Sequence, residues 1–169
     1  MKNIFSTALS AAILLTSTLT SQVTADTLDD VVDRGTLRCG VVLDFPPIGY
    51  RDENNNPAGF DVDYCADLAA ALEVEHEILA LTWSERLPVI VTGRADVVFG
   101  GTSDSLARAR TVGFSIPYAI YYAQGVVGAD TGITSVEDIR GKRVAAAIGT
   151  VPEQEWLKIA AEWGEEANY

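Results

Sequence analysis

The chain has 169 residues, 48% of them hydrophobic, with 12 basic and 24 acidic side chains and a net charge of −12. That length holds one domain or one and a half small ones, and the apolar share is enough for a packed core and too high for a disordered chain. The acidic excess, with no basic stripe or stacking motif to offset it, argues against a nucleic-acid partner.

The first residues stand apart from the rest. Met1-Lys2-Asn3 carries a positive charge, residues 8–15 are a short apolar run, and Thr16 to Thr24 is polar and uncharged. With Val23-Thr24-Ala25 at the end, this is the layout of a secretory signal peptide cleaved after Ala25. The run is too short for a membrane span, which needs about 20 apolar residues. Cleavage removes Lys2 alone among the charges, leaving 11 basic residues against 24 acidic ones.

Beyond the leader, strand-like and helix-like segments alternate. Leu37 to Val42 reads as a strand that must end before Pro46-Pro47, since a central strand does not accommodate proline. Residues 51–57 form a polar turn cluster, the expected tip of a hairpin. Asp61 is placed to cap a helix in which Val62, Cys65, Leu68, Ala69 and Leu72 share a face. His76 to Leu81 reads as a second strand. Ser84 is placed to cap a helix with Leu87, Ile90 and Val91 on one face, closed by Thr92-Gly93. Ala95 to Phe99 is a short apolar strand running into Gly100-Gly101, followed by a capped helix near Ser105 to Arg110. Ile120 to Gly128 and Arg143 to Ala147 read as further strands. Ser135 to Asp138 has capping-box spacing, and a last helix runs from about Pro152 to Trp163. This alternation is the grammar of an α/β fold with parallel strands.

Two cysteines, Cys39 and Cys65, leave open a disulfide or two buried thiols. A zinc site is disfavoured, because His76 is the one histidine and no paired spacing occurs; no metal or cofactor is expected. The densest cluster of candidate binding residues is Gly100 to Arg108. Ligands in parallel sheets sit beyond the carboxyl ends of strands, where Gly100-Gly101 falls. If Ser105 caps, Arg108 lies in a first helical turn, where a cation is disfavoured by about 0.3–1 kcal/mol. Either it clamps a carboxylate or it pairs with Asp104 at the surface. Phe45 and Trp83 each follow a strand, and could sandwich a ligand side chain or simply pack. Gly149-Thr150 precedes a helix and could offer amides to an anion, or be a plain turn. No nucleophile motif, Walker loop or Ser-His-Asp order is present.

In order and spacing, several motifs together resemble the periplasmic amino-acid-binding proteins that serve ABC importers. They are Arg34-Gly35-Thr36-Leu37-Arg38-Cys39-Gly40-Val41, Phe45-Pro46-Pro47, Gly59-Phe60-Asp61-Val62-Asp63, and Trp83 to Pro88. They continue through Gly93 to Val97, Arg108, Phe114 to Tyr118, Gly141 to Val144 and Gly149-Thr150. The resemblance implies a periplasmic-binding-protein-like two-lobe fold and a monomer exported to the periplasm. Residues 26–119 would form the first lobe, 120–124 a hinge crossing, and 125–169 an incomplete second lobe, because the family continues well past residue 169. It further implies that Phe45 and Trp83 flank the ligand side chain and that Gly101 accepts from the α-ammonium. Ser103 and Arg108 would hold the α-carboxylate, with Thr150 and Val151 completing that site. It also implies a Cys39–Cys65 bridge, found in a subset of the family. Val42 is apolar where some members that bind cationic ligands place an acid.

Binding of an amino acid and delivery to an importer is the expected function, without catalysis. Three alternatives accompany it. Cyclohexadienyl dehydratases, which act on prephenate or arogenate, are similar in sequence. A sensory module would need a membrane segment that is not seen after residue 25. A truncated remnant would have no activity.

Overall fold

Alternation along one strand organises the molecule. The computed structural model describes residues 27–167, so the expected signal peptide, residues 1–25, lies outside the described residues. Strand β1 (Thr36–Val42) follows helix α1 (Thr27–Arg34) and is the centre of a three-stranded parallel sheet. It pairs with β4 (Glu75–Leu81) from Thr36–Glu75 to Val42–Leu81, and with β5 (Val97–Val98) at Cys39–Val97 and Gly40–Val98. Parallel sheets need cover on both faces. Leu37, Cys39 and Val41 face one side, where they pack with Val31 of α1, Cys65 and Ala69 of helix α2 (Phe60–Ala71), and Phe99. Val42 faces the other side with Leu81, Ala95 and Val89 of helix α3 (Arg86–Val91). Each buried valine, leucine or phenylalanine among them contributes roughly 1.5–3 kcal/mol on leaving water.

The strands expected at Leu37 to Val42 and His76 to Leu81 are therefore found, each one residue longer at its start. The polar cluster at residues 51–57 is a hairpin tip between β2 (Tyr50–Arg51) and β3 (Pro57–Ala58), as expected. Cys39 and Cys65 form a disulfide with Cα atoms 6.3 Å apart, tying the central strand to the helix that covers it. Asp96, just before β5, fastens the sheet edge. It accepts from the Arg38 amide at 2.8 Å and from the Arg38 guanidinium at 2.7 Å, and Arg34 joins the pair. Burial works against its charge, but the bonds and charge of Arg38, with Arg34 adding, hold its carboxyl below the usual range.

Several expectations are corrected. Asp61 does not cap α2; Gly59 occupies that place with φ 111°, and Asp61 is fully buried inside the first turn. Ser84 does not cap α3. Instead Glu85 accepts from the Thr82 amide at 2.8 Å, and the buried face is Arg86 and Val89, while Val91 is exposed. The carbonyls of Trp83, Gly100, Gly101 and Gly149 hold the Arg86 guanidinium inside, so Arg86 and Val89 are the buried positions, while Ile90 is partly buried against the Val42 cluster. The helix near Ser105 is a single 3-10 turn, Arg108–Arg110, although Ser105 Oγ does accept from the Arg108 amide. Residues 120–128 and 143–147 pair with no strand among the described residues. An extended apolar segment becomes a ladder only beside a partner, and here Ile120, Tyr122 and Val126 are largely exposed. The last helix, α4 (Val151–Glu162), forms where expected.

The bridge closes a span of 26 residues between Cys39 and Cys65. On chain entropy alone its reduction should cost roughly 3–4 kcal/mol of stability. Urea unfolding with and without a reductant should show a lower midpoint in the reduced protein; equal midpoints would show that the bridge adds nothing.

Candidate functional site

At the carboxyl ends of β1, β4 and β5 lies a cavity of about 300 Å³ whose wall includes Phe45, Trp83, Gly101, Ser103, Arg108, Thr150 and Val151. All seven residues singled out in the sequence thus meet around one space. Arg86, Tyr121, Tyr122, Ala123, Ala147 and Pro152 complete it. A smaller hollow on α4 lies apart from all of these, between exposed Glu155, Lys158 and Glu162 and half-buried Ile159.

Two arginines dominate the wall. Arg86 is 3% exposed and Arg108 6%. Arg86 donates from Nε to the Trp83 carbonyl at 2.8 Å, from Nη1 to the Gly100 and Gly101 carbonyls at 3.0 and 3.1 Å, and from Nη2 to Gly149 at 2.9 Å. Arg108 donates from Nη1 to the Ser103 carbonyl at 3.0 Å and from Nη2 to the same Gly149 carbonyl at 2.9 Å. Its Nε is buried without a partner. Arg108 forms no ion pair with Asp104 among the described residues, so the surface-pair alternative is overturned. Burial, and then the charge of Arg108, bring Arg86 down to about 10; burial also lowers Arg108. A buried charge is costly unless paired, and these two have only neutral carbonyls for partners.

Gly149 can receive both guanidiniums because it has φ 78° and no side chain; a Cβ there would stand 3.2 Å from Ser84 Cα and 3.3 Å from the Trp83 carbonyl. Its own amide donates to Glu153 at 2.7 Å, and Thr150 Oγ1 accepts from the Glu153 amide. This reciprocal cap fixes the start of α4 at the cavity. Pro152 has no amide and Glu153 is capped, which leaves Val151 as the first-turn amide at the cavity wall. The Thr150 hydroxyl itself donates to Ala147 at 2.6 Å.

The aromatic residues form a corner rather than a slot. Phe45 and Trp83 meet edge to face with centroids 5.3 Å apart at 69°, and Tyr121 leans on Phe45 at 5.7 Å. No planar group fits between Phe45 and Trp83 at that spacing, so they present one continuous wall. One face of Trp83 is already covered by the Arg86 guanidinium, 4.9 Å from the ring centroid.

Behind the wall, the Gly100 amide donates to Tyr118 Oη at 3.4 Å, and Tyr118 donates to Asp61 Oδ1 at 3.1 Å. Gly100 approaches Val42 so closely that a Cβ would lie 2.9 Å from Val42 Cγ2. Asp61 Oδ2 has no partner, and burial, opposed by the Tyr118 bond, raises its carboxyl to about 6. Tyr118 is raised in turn by burial and by Asp61.

The sequence reading missed Arg86, Tyr121 and the pair Asp61–Tyr118 as parts of the site. Arg86 was open to the argument applied to Arg108, being a cation at a helix start. Thr150-Val151-Pro152-Glu153 also carries a capping-box spacing that went unread. Nothing local marks Tyr118 or Tyr121, whose partners are 57 and 76 residues away in sequence.

The chain belongs to the bacterial extracellular solute-binding proteins, family 3, whose model matches residues 37–166. It therefore has the periplasmic-binding fold, of which it covers a part. It is 33% identical over 133 residues to the L-cystine-binding protein TcyJ of Escherichia coli K12, a match covering 78% of this chain and 50% of that one. It is 32% identical over 108 residues to the cyclohexadienyl dehydratase of Pseudomonas aeruginosa, covering 64% and 40%. Among solved structures, the arginine-bound form of domain 1 from TmArgBP of T. maritima superposes with a TM-score of 0.52 at 39% identity, over 53% of this chain and 71% of that one. The chain spans about half the length of the first two relatives.

Asp61 yields a prediction for stability. Its carboxyl ordinarily titrates at 3.8 and in the fold at about 6, so the native state holds the proton more tightly. Its contribution is full below pH 4 and is lost as pH rises through 6, a total fall of at most about 3 kcal/mol. Asp61→Asn keeps the acceptor for Tyr118 and cannot ionise. Thermal melts should show the variant close to the parent at pH 4 and more stable at pH 7.5; a pH-independent difference would contradict this.

Proposed function

We propose that this chain is the ligand-holding part of an exported binding protein that captures an amino acid in the periplasm for an ABC importer. The observation that carries the reading is Arg108, a residue 6% exposed whose Nε is buried with no partner, at the wall of a cavity rimmed by glycine backbone and aromatic rings. A guanidinium with unused donors matches the two oxygens of a carboxylate. The Val151 amide at the start of α4 adds a second donor, and the helix dipole favours an anion there. Ser103 and Gly101 border the same space, where a zwitterion's two charged groups would fall. Phe45, Trp83 and Tyr121 then form the floor for its side chain.

Relatives support the same reading. TcyJ is by name a binding protein for L-cystine. The arginine-bound domain 1 of TmArgBP is a case in which one domain of a relative carries a ligand. In this reading residues 26–119 form the first lobe, 120–124 the crossing and 125–169 the beginning of the second. The leader ending at Ala25 directs export, and the protein acts as a monomer without a metal or cofactor. The dehydratase relative favours a second reading, an enzyme on the same scaffold, since it is 32% identical over 108 residues.

A thermal-shift screen of the purified chain against the common L-amino acids tests the proposal, because a ligand that binds only the native state must raise the melting temperature. At a hundredfold excess over Kd the gain is about 2.7 kcal/mol. Arg108→Ala should abolish the rise while the chain still melts cooperatively. A cooperative parent melt that no amino acid moves would reject binding, and dehydratase turnover would then favour the enzyme.

A further inference from the structure

Among the described residues, the wall of the cavity holds two buried cations and no acid. Arg86 and Arg108 both line it, and none of the other lining residues is aspartate or glutamate. Two carboxylates bonded close behind the wall are turned elsewhere. Asp61 lies behind Gly100 and accepts from Tyr118, and Glu153 accepts from the Gly149 amide. Neither lines the space. The acceptors that hold the two guanidiniums are neutral carbonyls of Trp83, Gly100, Gly101, Ser103 and Gly149, which orient the charges without cancelling them.

Each arginine acts differently on a bound zwitterion. Arg108 has free donors and is spent on the α-carboxylate in the reading above. Arg86 has four of its five N–H groups engaged with carbonyls, so it contributes mainly a field. That field falls on the aromatic corner. Its guanidinium covers one face of Trp83 at 4.9 Å, so a ligand cation on the opposite face would meet a ring already polarised by a like charge. A cation in a low-dielectric cleft feels such repulsion far more than it would in water.

We propose that the site accepts α-amino acids with neutral or anionic side chains and rejects those with cationic ones. This rests on the amino-acid reading and sharpens it. It also sets the chain apart from its arginine-bound structural relative, despite 39% identity to it.

The test compares ligands of one shape and different charge on the unaltered protein. Dissociation constants are measured by calorimetry at pH 7.5 for L-arginine and L-citrulline, and for L-lysine, L-glutamine, L-cystine and L-glutamate. The expected result is that a neutral or anionic ligand binds best, that arginine and lysine bind at least about tenfold more weakly, and that citrulline outbinds arginine. Arginine or lysine binding within tenfold of the best ligand would overturn the inference while leaving the amino-acid reading intact. Failure of every amino acid to bind would overturn both.

Discussion

The carbonyl of Gly149 receives a hydrogen bond from each of two buried guanidiniums, and the site depends on that shared acceptor. Arg86 starts a helix packed on the sheet, and Arg108 sits in the turn beyond β5. Gly149 belongs to the segment that begins α4, more than forty residues further along the chain. Three separate parts of the sequence are thus pinned at one oxygen. The arrangement demands a residue without a side chain at position 149, because the backbone there must take a positive φ and lie against Trp83 and Ser84. It also brings the open end of α4 to the cavity, which no local preference of that helix would do.

A second constraint reaches the same place from the other side. Gly100 is held through its amide by Tyr118, backed by Asp61, and through its carbonyl by Arg86. A buried acid lies on the amide side and a buried cation on the carbonyl side. The peptide dipoles around Gly100 therefore run along the field between them, which favours a fixed orientation of this turn. Asp61 is an expensive way to hold a tyrosine, since its second oxygen is unsatisfied. The cost is borne at the one point where sheet, α2 and cavity meet, and local departures of this kind are most often tolerated at functional sites.

How much of this was legible in the sequence follows from the range of each interaction. The central strand and its neighbour showed themselves because their side chains alternate and their neighbours in sequence stop them. Phe45, Trp83, Gly101, Arg108 and Thr150 could be picked singly from aromatics, glycines, a misplaced cation and a helix start, while Ser103 and Val151 came from the family resemblance, and all seven line one space. What could not be read was how they stand to one another. Phe45 and Trp83 look like the two walls of a slot when taken singly, but their contact distance makes them one wall. Residues 120–128 have the composition of a strand, yet a strand is a property of a pair, and no partner lies beside them among the described residues. Helix α3 turned out to bury an arginine where leucine spacing pointed to an apolar face, because the carbonyls of Gly100, Gly101 and Gly149 reward a guanidinium at that spot more than the periodicity does.

The residues that break ordinary rules of stability are Arg86, Arg108 and Asp61, and they surround or back a single cavity. Two like charges buried side by side are costly, and only part of that cost is recovered from neutral carbonyls. An anion brought between them would gain from both cations at once and would relieve their mutual repulsion. The arrangement is therefore not optimised for the folded chain by itself. On the proposed reading the other half of the interaction is a carboxylate, whose charge would offset part of the cost of burying the two cations.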